Sequence, residues 1–487
     1  MKNIIKILFV GSALAMGACS DLLDTQPRQS LTPETALADV EGYQSLVYSL
    51  YGRTLGFDYY GQLMQVAPEV MADNLKIIAN TGRYIGQEAN ADRQHIDIWE
   101  FTEVDTDTDN NPGLYASIND ANIILAGIDE VDGDDNLRNR VKGEAYFFRA
   151  LNYFDLARVY GYEPGQEVNG FDLSVILRTT PTLGLSAADF RARSTNTEVY
   201  NQVVSDLKEA IDLLPNASLG EEDVYRASKG AAQALLARVY LYMSNYSEAE
   251  TMATNAMVSF GLTDNGTGLL EAEDYVAGFS TAPNPESLFE VEIRSQDWNS
   301  TDGLNNSMCS LLANVYTGAQ FILTVSDDLL ASYEAGDVRL DTWAETEREG
   351  TSGTFYRSTK WLGHKGDFLE NLPIIRASEL YLIRAEARYK TSNETGARAD
   401  INALRSKRGL GNTAASGTAL MDLIMHENRV EFATEGHRWF DLKRNGMTIS
   451  KSGSFEPVPY TDYRILSPIP QDEIILNDLL ENNPEYN

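Results

Sequence analysis

The stretch Lys142-Gly-Glu-Ala-Tyr-Phe-Phe-Arg-Ala-Leu-Asn-Tyr-Phe-Asp-Leu-Ala-Arg-Val-Tyr-Gly161 reads as the greater part of one long helix. Within a helical pattern running from Asn136 to Tyr160, Ala145, Phe148, Leu151, Phe154, Leu156 and Val159 recur mostly at threes and twos around one broad apolar face. The same periodicity predicts helices over Ala36–Leu50, Tyr115–Ile128, Thr197–Leu214, Lys229–Ser244, Tyr246–Ser259, Ala377–Lys390, Thr395–Arg408 and Leu420–Glu435. Four of these form two pairs with short connections, Lys229–Ser244 with Tyr246–Ser259 and Ala377–Lys390 with Thr395–Arg408. Both pairs carry small residues where helices would touch: Ala231, Ala232, Ala237 and Ala249 in the first, Ala385, Ala387, Ala397 and Ala399 in the second. Such pairs look like degenerate tetratricopeptide units, whose apolar faces are covered only when neighbours stack.

Long irregular segments interrupt the helices. Gly52–Asn111 is rich in Gly, Asn, Asp and Tyr, Gly161–Thr195 is punctuated by Gly and Pro, and Asp264–Leu372 is the longest. The last contains one strand-like alternation, Ser287-Leu-Phe-Glu-Val-Glu-Ile293. Connections of this length are uncommon in compact domains and are usually functional. The expected fold is therefore mostly α: a tetratricopeptide-like helix-pair scaffold with long loop insertions near 52–111 and 264–372.

Composition narrows the function. The chain has 487 residues and a net charge of −33, from 72 acidic against 39 basic side chains. A body this acidic repels nucleic-acid phosphates. Two cysteines exclude a disulfide framework and Cys-rich metal sites. Lys2 and Lys6 flank the start of an apolar run, Ile4–Ala18, too short to span a bilayer comfortably. It reads as a secretory signal ending in Met16-Gly-Ala-Cys19, which resembles the bacterial lipoprotein processing box and implies acylation of Cys19; the alternative is an ordinary signal with an incidental cysteine. Residues 1–18 would be the signal, 19–33 a lipidated tether, and 34–487 the folded body. Since the body is acidic, acyl chains rather than charge must hold it at the membrane. Cys309 is then the remaining thiol, expected to be a buried small hydrophobe.

Five segments in order resemble the SusD/RagB family of Bacteroidetes outer-membrane lipoproteins. They are Lys142–Gly161, Cys19-Ser-Asp-Leu-Leu-Asp-Thr-Gln-Pro27, Ile374–Ala387, Glu427–Arg444, and the tail Ile469-Pro-Gln-Asp-Glu-Ile474 with Asn482–Tyr486. The resemblance thins over 52–111 and 264–372. It implies a lipid-anchored, surface-exposed protein that binds nutrients and sits as a lid over a SusC-like TonB-dependent transporter. Glycans are the usual ligands, with peptides as the alternative. The expected location is the outer membrane, facing the exterior.

Sugar recognition combines aromatic faces with planar polar groups in a concave site. The first insertion supplies Tyr59, Tyr60, Arg83 and Tyr84; the second supplies Trp298, Asn299, Asn305, Asn306, Tyr316, Trp343, Tyr356 and Trp361. The family resemblance adds Asp73, Asn74 and Trp99, through Met71-Ala-Asp-Asn74. The candidate ligand-binding set is Asp73, Asn74, Arg83, Tyr84, Trp99, Trp298, Asn299 and Tyr316. Trp298 stands out because Asp297-Trp-Asn-Ser300 is a polar turn with no evident burial partner. Lys360-Trp361 and Trp439 are expected to pack.

No catalytic constellation emerges. HExxH, GxSxG and GxxxxGK[ST] are absent, and the histidines are His95, His364, His426 and His437. Glu427 and Glu431 share a helix face, but Arg429, Arg438 and Lys443 are near enough in sequence to neutralise them. Asp105-x-Asp107-x-Asp109 begins like a calcium loop, yet Asn110 and Ala116 stand where Gly and Glu are required. The expectation is a binding protein, not an enzyme, with no cofactor beyond adventitious Ca²⁺.

Overall fold

The computed structural model describes residues 33–79, 81–90, 96–98, 113–184, 186, 189–298 and 300–486. The signal segment, Cys19, Trp99, Asp105–Asp109 and Asn299 lie outside them. Helices α1 (Val40–Thr54), α2 (Leu63–Met71), α3 (Leu114–Gly127) and α4 (Asp135–Tyr160) come first. They are followed by α5 (Asn196–Leu213), α6 (Lys229–Tyr242) and α7 (Tyr246–Ser259). The C-terminal third adds α8 (Ala377–Lys390), α9 (Glu394–Ser406), α10 (Thr418–Glu431) and α11 (Arg438–Arg444).

Local chemistry sets the helix starts. The Asp134 side chain accepts the Leu137 N–H at the head of α4, Ser228 accepts Ala231 N–H at α6, and Thr195 with Glu198 forms a reciprocal cap on α5. Asp39 caps Gly42, which is why α1 begins at Val40 rather than at the expected Ala36. α10 stops at Glu431, four residues before the expected Glu435, because the chain turns through Thr434 and Gly436, both at positive φ.

The scaffold is a continuous stack. α3, α4, α5, α6, α7, α8 and α9 each pack on the next. α7 lies directly on α8, so the two sequence pairs are neighbours although the second insertion separates them in the chain. Ala231, Ala232, Ala237, Ala249, Ala385, Ala387 and Ala397 are fully buried at these seams, whereas Ala399, expected there too, is exposed. Gly230 admits Phe260 so closely that a Cβ would collide with the ring. Every residue of α4 from Gly143 to Tyr160 except Tyr146 is buried, and Phe148 meets Tyr51, Phe147 and Phe289 edge-on.

Buried arginine–carboxylate pairs bind the helices across their interfaces. Arg149 holds Asp206 across α4–α5 at 2.6 Å, Arg238 holds Glu379 across α6–α8 at 2.5 Å, Arg384 holds Asp400 across α8–α9, and Arg444 grips Glu386 across α11–α8 at 2.7 Å.

The strands are short and antiparallel: β1 (Leu75–Ile77), β2 (Ser287–Val291), β3 (Leu323–Val325), β4 (Trp343–Arg348), β5 (Thr351–Ser358) and β6 (Leu372–Arg376). They pair β1–β3, β2–β6 and β4–β5. The strand-like alternation at Ser287–Ile293 does form a strand, β2, and all five of its residues are buried, the polar ones included. Glu290 tolerates this because it accepts from Asn284 N–H, Ser287 Oγ and Asn371 Nδ2.

Candidate functional site

The two long insertions meet. β1 in the first pairs with β3 in the second, in the register Leu75↔Val325, Lys76↔Thr324 and Ile77↔Leu323. Ile78 N–H extends the ladder to Ile322 O at 2.9 Å, and Ser326 N–H donates to Asn74 O at 2.9 Å. Lys76 pairs with Asp327 at the edge.

Beside this ladder a polar hub joins the loops. Gln62 Oε1 accepts Arg83 Nη2 at 2.7 Å and Tyr84 OH at 2.6 Å, while Gln62 Nε2 donates to Asn306 O. Arg83 Nη1 donates to Asn305 O and to Gln320 Oε1 at 3.1 Å. Gln320 Nε2 returns to Leu304 O and Asn305 O, both at 3.2 Å. Tyr84 sits at φ 59°, which turns the chain into the short helix Ile85–Ala89. Arg83 thus bridges both insertions and stays half-buried, held by amide and carbonyl oxygens.

Tyr316 stands on the second insertion. Its hydroxyl donates to Gly363 O at 3.0 Å and its ring leans on Phe368, centroids 5.3 Å apart. Beneath it lies a satellite apolar cluster of Cys309, Ala313 and Phe368. Tyr316 itself is half-buried, and Val315 beside it is 38% exposed. On the first insertion, Phe57 and Ile85 are also exposed.

Among the described residues, the other candidates Asp73, Asn74 and Trp298 face inward. Asp73 is 4% exposed and takes Arg438 Nε at 2.6 Å and Arg429 Nη2 at 3.2 Å. Burial alone would raise its carboxyl, but the two guanidiniums outweigh this and hold it below the usual carboxylate range. Asn74 donates to Glu69 Oε2 at 2.6 Å and accepts Arg429 Nε at 2.8 Å. Glu69 in turn accepts the N–H groups of Thr434, His437 and Arg438. In this structure Asp73 and Asn74 fasten the end of α2 to α10 and α11. Trp298 corrects the polar-turn argument: the turn is closed by Arg294 with Asp297, and the indole folds under it into the main core, 7% exposed. Trp343, Trp361 and Trp439 are buried too, with Trp343 Nε1 on Tyr333 OH and Trp361 Nε1 on Thr434 Oγ1.

Sequence reasoning missed Phe57, Gln62, Val315 and Gln320. No local pattern marks them; the β1–β3 pairing joins segments far apart in the chain, and beside it Gln62 and Gln320 meet on Arg83.

Glu427 and Glu431 are buried and paired, but not with the nearby cations expected. Arg339 and Arg405 hold Glu427 at 2.7 and 2.6 Å, and Arg408, Arg376 and Arg339 hold Glu431. Helical geometry points both carboxylates inward, away from Arg438 and Lys443, which serve Asp73 and Glu163. Among the described residues no group of three His, Cys, Asp or Glu side chains could hold a metal ion. Among them, too, no helix is long and apolar enough to cross a membrane.

A family described as "Starch-binding associating with outer membrane" matches residues 56–241, and one described as "SusD family" matches residues 350–486. SusD-like protein P2 of Formosa agariphila is 25% identical, over 99% of this chain and 99% of its own length. The crystal structure of a SusD superfamily protein from Bacteroides vulgatus superposes with a TM-score of 0.77 at 27% identity, covering 92% of this chain and 99% of that one. A laminarin-binding SusD-like protein shares the fold at 22% identity and a TM-score of 0.71, over 92% of this chain and 100% of that one. Helix stack, insertions and sequence agree: the chain belongs to the SusD/RagB family.

Proposed function

We propose that this protein is a lipid-anchored glycan-binding protein of the outer membrane. It captures an oligosaccharide at the seam of its two insertions and passes it to a SusC-like TonB-dependent transporter. The observation that carries the reading is Arg83, which ties Gln62 to Asn305 and Gln320 across the two insertions and stays half-buried, while Phe57 and Ile85 of the first insertion and Val315 of the second are exposed. Such a seam offers what a sugar needs: fixed donors and acceptors for hydroxyls, and apolar surface for C–H faces. The laminarin-binding relative of the same fold is consistent with this ligand class. Binding and release are the whole mechanism, with chemistry left to other proteins. Anchoring rests on Met16-Gly-Ala-Cys19. Replacing Cys19 with Ala should move the protein from the membrane fraction to the soluble one.

Calorimetric titration against laminarin-, malto- and xylo-oligosaccharides tests the reading. Arg83→Ala and Tyr316→Ala should each weaken the responding glycan about tenfold or more while leaving the circular dichroism unchanged. Unaltered affinity in both variants would remove the seam from consideration.

Burial of Trp298, Trp343, Trp361 and Trp439 favours a second reading, a peptide ligand, which needs backbone hydrogen bonding and fewer stacking rings. A response to peptide digests with silence across the glycan panel would select it.

A further inference from the structure

Glu370 lies just before β6, 2% exposed, with no cation paired to it among the described residues. Its Oε1 accepts Cys309 N–H at 2.6 Å, and its Oε2 accepts Gly363 N–H at 3.1 Å. Cys309 belongs to the short helix Met308–Leu312 beneath the Tyr316 ring, and Gly363 presents the carbonyl that receives the Tyr316 hydroxyl. We infer that Glu370 is a positioning residue for Tyr316, its two carboxylate oxygens clamping the helix below that ring and the turn beside it, so that ligand binding at the seam strengthens as the carboxylate ionises. The inference rests on the reading of the seam as the ligand site.

The clamp works because an ionised carboxylate is acceptor-only and can take both N–H groups at once. Protonated, one oxygen becomes a hydroxyl, a poorer acceptor whose hydrogen needs a partner of its own, and one of the two backbone bonds weakens. The longer bond, to Gly363, is the weaker one, and Gly363 is the residue Tyr316 depends on. The turn has little room to readjust: Gly363 is at φ +64°, and a Cβ there would press on Tyr316 and on Gly366 O.

The surroundings bring the transition to neutral pH. Burial pushes the Glu370 carboxyl up to about 7, against the lowering effect of the two N–H groups. The titratable groups around it supply no balancing charge. Cys309 and Tyr316 are neutral, each pushed upward by burial and by the nearby carboxylates Glu370 and Asp367. His364 has both ring nitrogens buried and unpartnered, and burial, helped by Lys365, pushes it down to about 4. Lys365 Nζ is directed away, to Ile293 O, Asn371 Oδ1 and Glu292.

Two measurements test the clamp. In the first, affinity for laminari- and malto-oligosaccharides is followed from pH 5.5 to 8.5. The wild type should gain about five- to tenfold with rising pH, the size of one charge-assisted hydrogen bond. Glu370→Gln should stay flat near the low-pH wild-type value. A flat wild type, or a variant that keeps the pH dependence, overturns the inference. In the second, hydrogen exchange of the Gly363 and Cys309 amides is compared between wild type and Glu370→Gln, each corrected for intrinsic rate, without ligand. Extra protection above pH 7 in the wild type alone supports the clamp; equal protection at every pH refutes it. If neither glycan binds at any pH, the seam reading fails and exchange alone judges Glu370.

Discussion

Replacing Glu431 with Ala should cost about 3–5 kcal/mol of stability, because it unbalances a buried ion network. The network sets five cations, Arg339, Lys360, Arg376, Arg405 and Arg408, against five buried carboxylates, Glu286, Asp337, Glu427, Glu431 and Glu435, with Glu334 on the rim. Glu431 is fully buried and central. It takes Arg408 Nε and Arg376 Nη1 at 2.9 Å each and Arg339 Nη1 at 3.4 Å. Removing it leaves three guanidiniums sharing too little negative charge in a site water cannot reach. Glu431→Gln keeps the shape and one acceptor, so it should lose less, on the order of 2 kcal/mol. Urea unfolding followed by circular dichroism gives the difference from the shift in midpoint at constant slope. Burial alone would raise the Glu431 carboxyl, but Arg408, Arg376 and Arg339 hold it well below the usual range. A depressed carboxyl contributes stability that is complete above its unfolded value, near 4.5, and is lost as pH falls through the folded one. The gap between wild type and Glu431→Gln should therefore close on acidification below pH 4.5. A loss under ~1 kcal/mol for Glu431→Ala, the scale of an exposed pair, would refute the argument.

Other outcomes follow from single contacts. Gly436→Ala should unfold or severely weaken the protein, since Gly436 is at φ +77° and a Cβ would strike Met64 O; thermal melting reads this directly. In a Cys19→Ser chain, Cys309 should fail to react with a thiol reagent until the protein unfolds, because the side chain is buried and burial pushes its thiol up. Glu370 should make the wild type less stable by about 3 kcal/mol as pH climbs from 5 to 8, the equivalent of a carboxyl raised from 4.5 to about 7. The sign follows from the folded state holding the proton more tightly in that window, so stability falls with pH; Glu370→Gln should lack the slope in urea titrations.

The helix stack was legible in the sequence because its signals are local. Tyr246–Ser259 and Ala377–Lys390 start and stop as their periodicity predicts, and their alanines lie where the helices touch. The seam was not legible, since Leu75-Lys-Ile77 and Leu323-Thr-Val325 are too short to declare themselves and find each other only in three dimensions. Trp298 failed for a related reason: a polar turn constrains its own backbone but says nothing about which way an indole folds. Arginines within helices read as surface charge, yet Arg149, Arg238, Arg384 and Arg444 are all buried against partners on other helices.

The buried charges also explain why the segment Glu427–Arg438 is so information-rich. Glu427, Glu431 and Glu435 grip Arg339, Lys360 and Arg376, all from the second insertion or its exit into β6. Arg429 and Arg438 grip Asp73, and Arg429 also Asn74, at the end of α2 in the first insertion. One twelve-residue stretch of scaffold thus fixes both halves of the seam, by opposite charges pointing in opposite directions. Its residues are therefore poor ligand contacts and strong determinants of where ligand contacts stand. A substitution such as Arg438→Ala should leave Asp73 to Arg429 alone and loosen β1 against β3, weakening any ligand at the seam without touching it. Pairing it with Asp73→Ala tests the route: if the double variant binds no worse than the single one, the loss runs through the Arg438–Asp73 anchor; if it binds worse by the sum, the two residues act on the ligand independently and the anchoring argument falls.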